Sequence, residues 1–292
     1  MSNAQPAATS GLVIVDKQSG VTSHQVVGRL RRLLGTRKIG HAGTLDPMAT
    51  GVLILGVNRA TRMLGHLALH DKRYLATVRL GESSHTDDAE GDVIPVADAS
   101  GLTAQQVEAA AAPLRGDILQ RPSSVSAIKV DGKRSYARVR AGEDVALPER
   151  PVTVSRLDIL DVRAAGECLE VDIDVECSSG TYIRALARDL GEALGVGGHL
   201  TALRRTRIGG YSLDDAVTLG DEAPHLMPMA EAARLSFPVV TLTEEEARDV
   251  GYGRALARPV PASPTGMLAP GGDLLALYQP DGDGSRPLAV LI

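Results

Sequence analysis

The sequence predicts an α+β fold, built from strands and helices that are mixed along the chain. These segments lack the strict strand–helix alternation that produces a parallel sheet. Residues 169–176 alternate apolar and acidic side chains, which is typical of a half-buried strand in an antiparallel sheet. The chain has 292 residues, enough for one large domain and one small domain.

Local patterns place the individual elements. A strand is predicted at 12–15 and a helix after it, since Thr22 and Ser23 are favourable N-cap residues and Gly35 follows the last apolar position of the helical stripe. Further strands are predicted at 52–57 and 72–80, and further helices at 59–67, 103–114 and 181–194.

A change of pattern near Pro238 predicts a domain boundary. A short strand follows it, and then a helix that begins at a capping box formed by Thr243 and Glu246. The last part of the chain is expected to form a hairpin across the turn Asp-Gly-Asp-Gly. We therefore predict a large domain over 1–236 and a small β-rich domain over 237–292.

The charge of the chain is unevenly distributed. The formal net charge is −5, but residues 1–80 carry 11 Lys/Arg against 3 Asp/Glu, a balance of +8, and residues 208–292 carry 5 against 12, a balance of −7. A polyanion responds to the local field rather than to the total, so the composition allows an RNA partner. Solvated helix faces would give the same pattern, and composition alone does not decide between these interpretations.

No metal site is expected. Cys168 and Cys177 lie in a predicted strand without the spacing of zinc ligands, and we interpret both as reduced and structural. The acidic run at 87–92 lacks the spacing of a calcium loop and is predicted to be a solvated hairpin turn.

The predicted location is the cytoplasm. No apolar run approaches the roughly 18 residues that a membrane span requires, and the N-terminus lacks the basic-then-apolar order of a signal peptide.

Residues 40–51, with the sequence GHAGTLDPMATG, form the most unusual segment of the chain. Three glycines allow the backbone to approach a ligand closely, and Pro47 restrains the chain directly after the single carboxylate, Asp46. This carboxylate is therefore a candidate catalytic group. An Asp-Pro pair is also common in plain structural turns, so spacing alone leaves both interpretations open.

Arg184 and Tyr74 are candidates for supporting such a carboxylate. A carboxylate in a desolvated pocket needs a nearby cation to remain ionised, and Arg184 lies on a predicted helix that follows a Ser-Ser-Gly turn. Tyr74 offers a flat surface for an unstacked base, an interaction worth about 1–3 kcal/mol per base. The alternative is that Tyr74 is an ordinary buried strand residue.

At these residues the sequence resembles the TruB family of bacterial tRNA pseudouridine-55 synthases. The resemblance covers about 11–213 and, more loosely, the remaining chain. It rests on six blocks in order: DKxxGxTS from Asp16, GHAGTLDPMATGVL from Gly40, KRY from Lys72, RPSSVSAIKVDGKRSYARVRAGE from Arg121, CSSGTYIRALARDLGE from Cys177, and HLTALRRTRIGGYSL from His199. One departure is Gln18, where the family usually has proline; this difference concerns the turn and no expected catalytic group.

The resemblance implies a pseudouridine synthase fold, with a central mixed, largely antiparallel sheet flanked by helices and a small β-rich, PUA-like C-terminal domain. It implies that residues 1–236 form the catalytic domain, with a mobile RNA-binding segment at about 121–150, and that 237–292 bind RNA. The activity implied is isomerisation of one uridine in the T loop of tRNA, with no cofactor and no obligatory protein partner.

The resemblance also implies individual roles. Asp46 would be the nucleophile, paired with Arg184, while Tyr74 would stack on the target base. His41 would enter the T loop where that base has left. The other positions that match the family's pocket are Lys17, Tyr182 and Leu203.

Two other classes of function remain open at this stage. A protein that only binds or folds RNA would use the basic stretches alone, but it would leave the carboxylate at 40–51 unexplained. A metal-dependent hydrolase would have to use Asp87, Asp88, Glu90 and Asp92, and chelation would then abolish its activity.

Overall fold

The computed structural model describes residues 9–123, 129–130, 133–134 and 147–292. It divides into two compact units. The first contains the chain before Asp71 together with Arg207–Ile292, and the second contains Asp71–Thr206.

The elements of the N-terminal part follow one another in the order strand, helix and then mainly strands. They are β1 (Gly11–Lys17), α1 (Ser23–Leu34), β2 (Ile39–Ala42), β3 (Thr50–Val57), a 3-10 turn (Asn58–Arg62), α2 (Leu64–Leu67), β4 (Lys72–Leu80), β5 (Glu82–Ser84), β6 (Val93–Pro95), α3 (Ala104–Ala111), a 3-10 turn (Ala112–Leu114) and β7 (Gly116–Gln120). Two short paired strands follow, β8 (Lys129–Val130) and β9 (Lys133–Arg134).

The C-terminal part begins with two long strands. Its elements are β10 (Arg150–Ala165), β11 (Cys168–Cys177), α4 (Ile183–Leu194), β12 (Gly198–Ile208), β13 (Tyr211–Ser212), a 3-10 turn (Leu213–Asp215), β14 (Met227–Pro228), α5 (Met229–Ser236), β15 (Val239–Thr241), α6 (Glu244–Gly251), β16 (Thr265–Leu268), β17 (Leu274–Asp281) and β18 (Gly284–Val290).

The strands of both units are largely antiparallel. In the first unit β1 lies between β14 and β3, and β2 pairs with the second half of β3. In the second unit the strand order is β12-β4-β11-β10-β7. A separate sheet near the C-terminus has the order β15-β16-β17-β18, in which β15 and β16 are parallel. The predicted α+β class, with a β-rich C-terminal part, is confirmed.

Helix α1 begins and ends where the sequence predicts. Thr22 and Gln25 form a capping box, in which the Thr22 side chain accepts from the Gln25 N–H and the Gln25 side chain accepts from the Thr22 N–H. Gly35 ends the helix with a φ of 61°, a left-handed conformation that glycine adopts without steric cost. These caps fix the direction in which α1 leaves β1.

The C-terminal sheet contributes to two hydrophobic clusters. One lies within the C-terminal part and includes Leu242, Val250 and Tyr278. The other is shared with the N-terminal strands of the same unit; its members include Leu12, Ile14, Val52, Ile54, Phe237, Leu268, Leu277 and Leu291. The sheet therefore covers part of the core on which β1 and β3 depend. That 237–292 form a separate RNA-binding domain remains a prediction.

Because this cluster is shared, the substitution Leu277→Ala tests whether the C-terminal sheet and strands β1 and β3 unfold together. Leu277 is completely buried, and a Leu→Ala change at such a site costs about 2–5 kcal/mol of the free energy of unfolding. We expect one urea transition, shifted to lower concentration, together with faster hydrogen exchange of the β1 and β3 amides. The matched control is Leu288→Ala, because Leu288 is 37% exposed. An early separate transition with unchanged exchange in β1 would show that the C-terminal sheet folds independently.

Both cysteines are free thiols, and both are buried. Burial raises the pKa of Cys177 to about 11, which keeps this thiol protonated at neutral pH. Of the described helices, none has both the length and the apolar character that crossing a membrane would require.

Candidate active site

Asp46 lies in a tight loop between β2 and β3. The Ala49 N–H donates to the Asp46 carbonyl at 3.1 Å, which closes a turn with Pro47 at its second position. Gly43 begins the loop with a φ of 76°. The Asp46 side chain is half-buried. The carboxylate is thus presented by a short, closed turn and not by a flexible surface segment.

The connection between β1 and α1 holds this loop on both sides of Asp46. The buried Ser23 hydroxyl donates to the Leu45 carbonyl at 3.1 Å and accepts from the Leu45 N–H at 3.0 Å. The Gly20 N–H donates to the Pro47 carbonyl at 2.9 Å. Gly20 has a φ of 80°, a conformation that other residues rarely adopt. Because residues 45 and 47 are both fixed, the position of Asp46 between them is fixed as well.

Lys17 strengthens the same connection. Its side chain is buried, and its ammonium group donates to the carbonyls of Gln18 at 3.1 Å, Val21 at 2.7 Å and Pro47 at 3.1 Å. An ammonium group has three N–H donors, and these three carbonyls match that number. The charge of Lys17 therefore serves to join β1, the start of α1 and the Asp46 loop.

His41 lies on β2, directly before this loop. Its ring is half-buried and makes an edge-on contact with His24, with 5.7 Å between the ring centroids. His24 is exposed in the first turn of α1. The start of α1, His41 and the Asp46 loop therefore lie together in the first unit.

The second unit carries four other predicted site residues. Tyr74 lies on β4 opposite Val175, and it is buried together with Ala76 and Val78 on the same face. Leu203 is buried on β12. Tyr182 is half-buried at the N-cap of α4, and Arg184 follows in the first turn of that helix. The burial of Tyr74 is compatible with either of its two interpretations.

Arg184 is held by an acidic partner that sequence analysis did not assign to it. Its guanidinium lies 3.2 Å from the Asp88 carboxylate and donates to the Thr86 carbonyl at 2.8 Å. The Arg184 and Asp88 side chains are only 6% and 2% exposed. The Asp88 carboxylate also accepts from the Thr86 hydroxyl at 2.6 Å and from the Glu90 N–H at 3.0 Å. The ion pair and the bond to the Thr86 carbonyl together restrict the direction of the arginine side chain.

A second pair lies beside the first. Arg188, one helical turn after Arg184, contacts the Asp87 carboxylate at 3.2 Å and the Asp189 carboxylate at 2.7 Å. Burial raises the pKa of Asp87, and the Arg188 charge opposes that effect. Asp87 adopts a φ of 58°, which is uncommon outside glycine and is favoured by aspartate among the exceptions.

The prediction of a solvated turn at 87–92 is therefore wrong for its first two residues. The run does connect β5 to β6, but Asp87 and Asp88 are buried because each has an arginine of α4 as partner. Within the described residues, no three His, Cys, Asp or Glu side chains are grouped in a way that could hold a metal ion.

Gln120 is a further residue that the sequence did not reveal. Its side-chain amide is buried at the end of β7, donates to the Tyr182 carbonyl at 3.0 Å and accepts from the Tyr182 N–H at 2.8 Å. Both backbone groups of Tyr182 are thereby bound by one side chain. Since Tyr182 is the N-cap of α4 and has no side-chain cap of its own, Gln120 positions the start of the helix that carries Arg184.

Lys72 adds a buried cation to the second unit. Burial, and secondarily the Arg205 charge, lower the pKa of Lys72 to about 8. Arg205 is itself buried. This region therefore loses one positive charge as the pH rises through about 8.

The structure thus divides the predicted site between its two units. Lys17, His41 and Asp46 belong to the first unit, where Lys17 and Asp46 share one hydrogen-bonded connection. The other four belong to the second unit. The pairing of Asp46 with Arg184 stays a prediction. The predicted mobile segment at 121–150 lies largely outside the described residues, at 124–128, 131–132 and 135–146.

Three family models match consecutive parts of the chain. The model described as TruB family pseudouridylate synthase (N terminal domain) matches residues 31–183. The model for the tRNA pseudouridylate synthase B C-terminal domain matches 184–232, and that for tRNA pseudouridine synthase II, C terminal, matches 237–292.

Curated relatives are similar over nearly the whole chain. The protein named tRNA pseudouridine synthase B of Cutibacterium acnes is 58% identical, over 97% of this chain and 98% of the relative. The protein of the same name from an Arthrobacter species is 56% identical, over 96% of both chains. Among solved structures, a chain of a Cbf5-Nop10-Gar1 complex superposes with a TM-score of 0.73 at 25% identity, over 97% of this chain and 85% of that chain.

Proposed function

This chain belongs to the TruB family of pseudouridylate synthases, and we propose that it converts one specific uridine in the T loop of tRNA to pseudouridine. The observation that carries the proposal is the identity of 58% and 56%, over almost the full length, with two proteins named tRNA pseudouridine synthase B. The closed Asp46 turn and the buried Arg184–Asp88 pair support it, because the reaction needs a positioned carboxylate and a shaped site.

The reaction is an isomerisation, and its atoms balance without a second reactant. The bond between the ribose C1′ and the uracil N1 breaks, the base turns within its pocket, and C1′ joins the uracil C5. The C5 proton is lost and N1 gains one. The reaction transfers no electrons and no phosphoryl group to or from a second molecule, so the proposed function requires no cofactor.

The target base has to leave its stack before it can react. An enzyme that acts on a base inside a folded nucleic acid turns the nucleotide out and binds it in a pocket. In the proposed complex Tyr74 stacks on the turned-out uracil, and Leu203 and Tyr182 line the pocket. His41, beside the Asp46 loop, occupies the space that the base has left.

Asp46 is proposed as the catalytic carboxylate. An ionised carboxylate can attack the uracil ring, attack the ribose, or first remove a ribose proton, and all three routes require it to be held in place. The bonds from Ser23 to Leu45 and from Gly20 and Lys17 to Pro47 provide that restraint. Lys17 thus contributes to the pocket by holding the loop. Arg184 is proposed to keep the carboxylate ionised.

We propose that the C-terminal part adds a contact to RNA. Tyr252 is 77% exposed, and the Arg254 guanidinium lies 5.1 Å from its ring centroid. An exposed aromatic ring with an arginine beside it is suited to stacking on an unpaired base. This contact would support binding and not catalysis.

The proposed assembly is this chain with tRNA, in the cytoplasm where tRNA is made and used. The related Cbf5 chain was solved together with Nop10 and Gar1. No such protein partner is required here, because one chain supplies every group that the proposed reaction uses.

An assay with purified protein tests the function. We expect the purified protein to convert the T-loop uridine of an unmodified tRNA transcript to pseudouridine in a buffer that contains EDTA and no added cofactor. The reason is that no step of the proposed reaction uses a metal ion. Pseudouridine is mapped by its carbodiimide adduct, and a transcript with cytidine at the target position is the matched control. Tight binding of tRNA without product would instead identify a protein that only binds RNA. A strict requirement for Mg²⁺ with prefolded tRNA would contradict the cofactor-free reaction.

A further inference from the structure

We propose that the cationic end of α1 binds the sugar-phosphate backbone of the tRNA stem next to the target loop. This surface, here called the α1 surface, consists of Arg29, Arg32, Arg37 and Lys38. The inference rests on the proposed function and adds to it a second area of contact, separate from the pocket for the uridine.

The first argument is that the positive charges of the α1 surface are largely not neutralised by acidic side chains of the described residues. Helix α1 contains no acidic residue, and all four side chains of the α1 surface are exposed. Arg29 donates to the Gly220 carbonyl at 3.1 Å and lies 3.4 Å from the fully exposed Asp221 carboxylate, whereas Arg32, Arg37 and Lys38 form no ion pair with any described residue.

The arginines on the outer face of the second unit's sheet differ in this respect. Arg73 lies 2.5 Å from Asp174, and Arg79 lies 2.8 Å from Glu82. Arg163 is paired with Asp161 and Asp172. Those charges are neutralised within the protein, while the charges of the α1 surface remain available to a polyanion.

Stabilisation of the helix explains only part of this pattern. Cations in the last turn of a helix interact favourably with its carbonyl end, which accounts for Arg31 and Arg32. Arg37 and Lys38 lie beyond Gly35, outside the helix, and this explanation does not apply to them. A role in binding accounts for all four residues of the α1 surface.

The second argument is position. Ser23, at the start of α1, holds Leu45 beside Asp46. A helix rises about 1.5 Å per residue, so Arg32 lies roughly 14 Å along α1 from Ser23. The helix therefore begins at the loop that holds Asp46, and its cations lie at the end farther from that loop.

The third argument is shape. A cleft of about 520 Å³ lies along α1 within the first unit. Gln25, Arg29 and Arg32, spaced at i, i+4 and i+7, form one wall, and Thr218 and Leu219 lie on the other side. Asp16 and Lys17 also line the cleft, so its cations outnumber its carboxylates by three to one. Side-chain donors beside apolar surface suit a ribose and its phosphate.

Paired substitutions test this surface. In Arg37→Gln/Lys38→Gln both changes lie after the end of α1, and a second variant, Arg29→Gln/Arg32→Gln, alters the cleft wall. The control is Arg234→Gln, which removes one exposed cation of the same unit that also lacks an ion pair with described residues and lies outside the C-terminal part proposed to contact RNA. Circular dichroism establishes that each variant is folded, and either α1 variant is sufficient for the test.

The measurements are Kd, KM and kcat for unmodified tRNA over a range of KCl concentrations. For each α1 variant we expect the slope of log Kd against log salt to fall by about 1.4–1.8, since each lost phosphate contact removes about 0.7–0.9. KM should rise at least about tenfold near 0.1 M salt, with kcat within about twofold of wild type. The control should match wild type in all three constants.

Shortening the stem of a T stem-loop substrate provides an independent readout. The wild-type protein should lose affinity as base pairs are removed, until its Kd equals that of the α1 variants. A wild-type protein that modifies tRNA, with α1 variants of unchanged salt slope and KM, would overturn the inference and leave the proposed function intact. A wild-type protein that makes no pseudouridine would instead contradict the proposed function.

Discussion

Replacing Asp46 with asparagine is expected to abolish pseudouridine formation and to leave tRNA binding almost unchanged. The amide keeps the size of the side chain and removes its charge, so it can act neither as nucleophile nor as base. The loop should fold normally, because the backbone bonds of Leu45 to Ser23 and of Pro47 to Lys17 restrain it on both sides of Asp46. Turnover should fall to background, while Kd changes by less than about tenfold, or ~1.4 kcal/mol.

The control for this experiment is Asp273→Asn, which removes an exposed carboxylate of the same unit. It should behave as wild type in both assays. Single-turnover conversion and filter binding with the same tRNA measure the two quantities separately. An Asp46→Asn protein that still makes pseudouridine at an appreciable rate would end the mechanism proposed above.

Removing Arg184 is expected to have the largest effect on stability. In Arg184→Ala the Asp88 carboxylate remains buried and loses its cationic partner, and breaking a buried pair in this way costs about 3–5 kcal/mol. The Thr86 and Glu90 bonds to Asp88 persist and place the cost toward the lower end of that range. Urea denaturation measures the loss, and turnover should be lost with it because Arg184 is proposed to support Asp46.

A double-mutant cycle separates the pair from its surroundings. Asp88→Ala should also destabilise strongly, and the double variant should be less unstable than the sum of the two single changes. Arg163→Ala is the matched control; that side chain is 41% exposed in its ion pair, and exposed pairs contribute about 0–1 kcal/mol. Additive losses in the cycle would show that Arg184 and Asp88 do not depend on one another.

The sequence predicted elements whose signals are local. The caps of α1, the alternating burial of β4 and the capping box of α6 all depend on neighbouring residues, and the structure confirms them. The strand β11 is confirmed, but its alternation is broken at Asp174, which is buried and paired with Arg73. Strand β10 was missed. Its pairing with β11 shifts register twice, between Val154 and Arg156 and between Ile159 and Asp161, and each shift interrupts the two-residue period on which strand prediction rests. In β12 the buried Arg205 places a charged residue at a core position, which interrupts the expected alternation of apolar and polar residues.

The site was predictable only where its residues form a recognisable motif. The Gly-rich segment made Asp46 visible, and family resemblance added the other positions. Asp88 and Gln120 could not be assigned, because their partners Arg184 and Tyr182 lie far away in the sequence and only the fold brings them together. An acidic turn looks solvated in sequence, since nothing local shows that two arginines will neutralise it.

The two adjacent pairs at α4 also limit where the sequence can change in length. Arg184 and Arg188 are one turn apart, and their partners Asp88 and Asp87 are consecutive. One residue inserted between Arg184 and Arg188 would rotate Arg188 by about 100° around the helix axis relative to Arg184. The two arginines could then no longer contact Asp88 and Asp87 at the same time. Insertions and deletions between the two arginines should therefore be rejected.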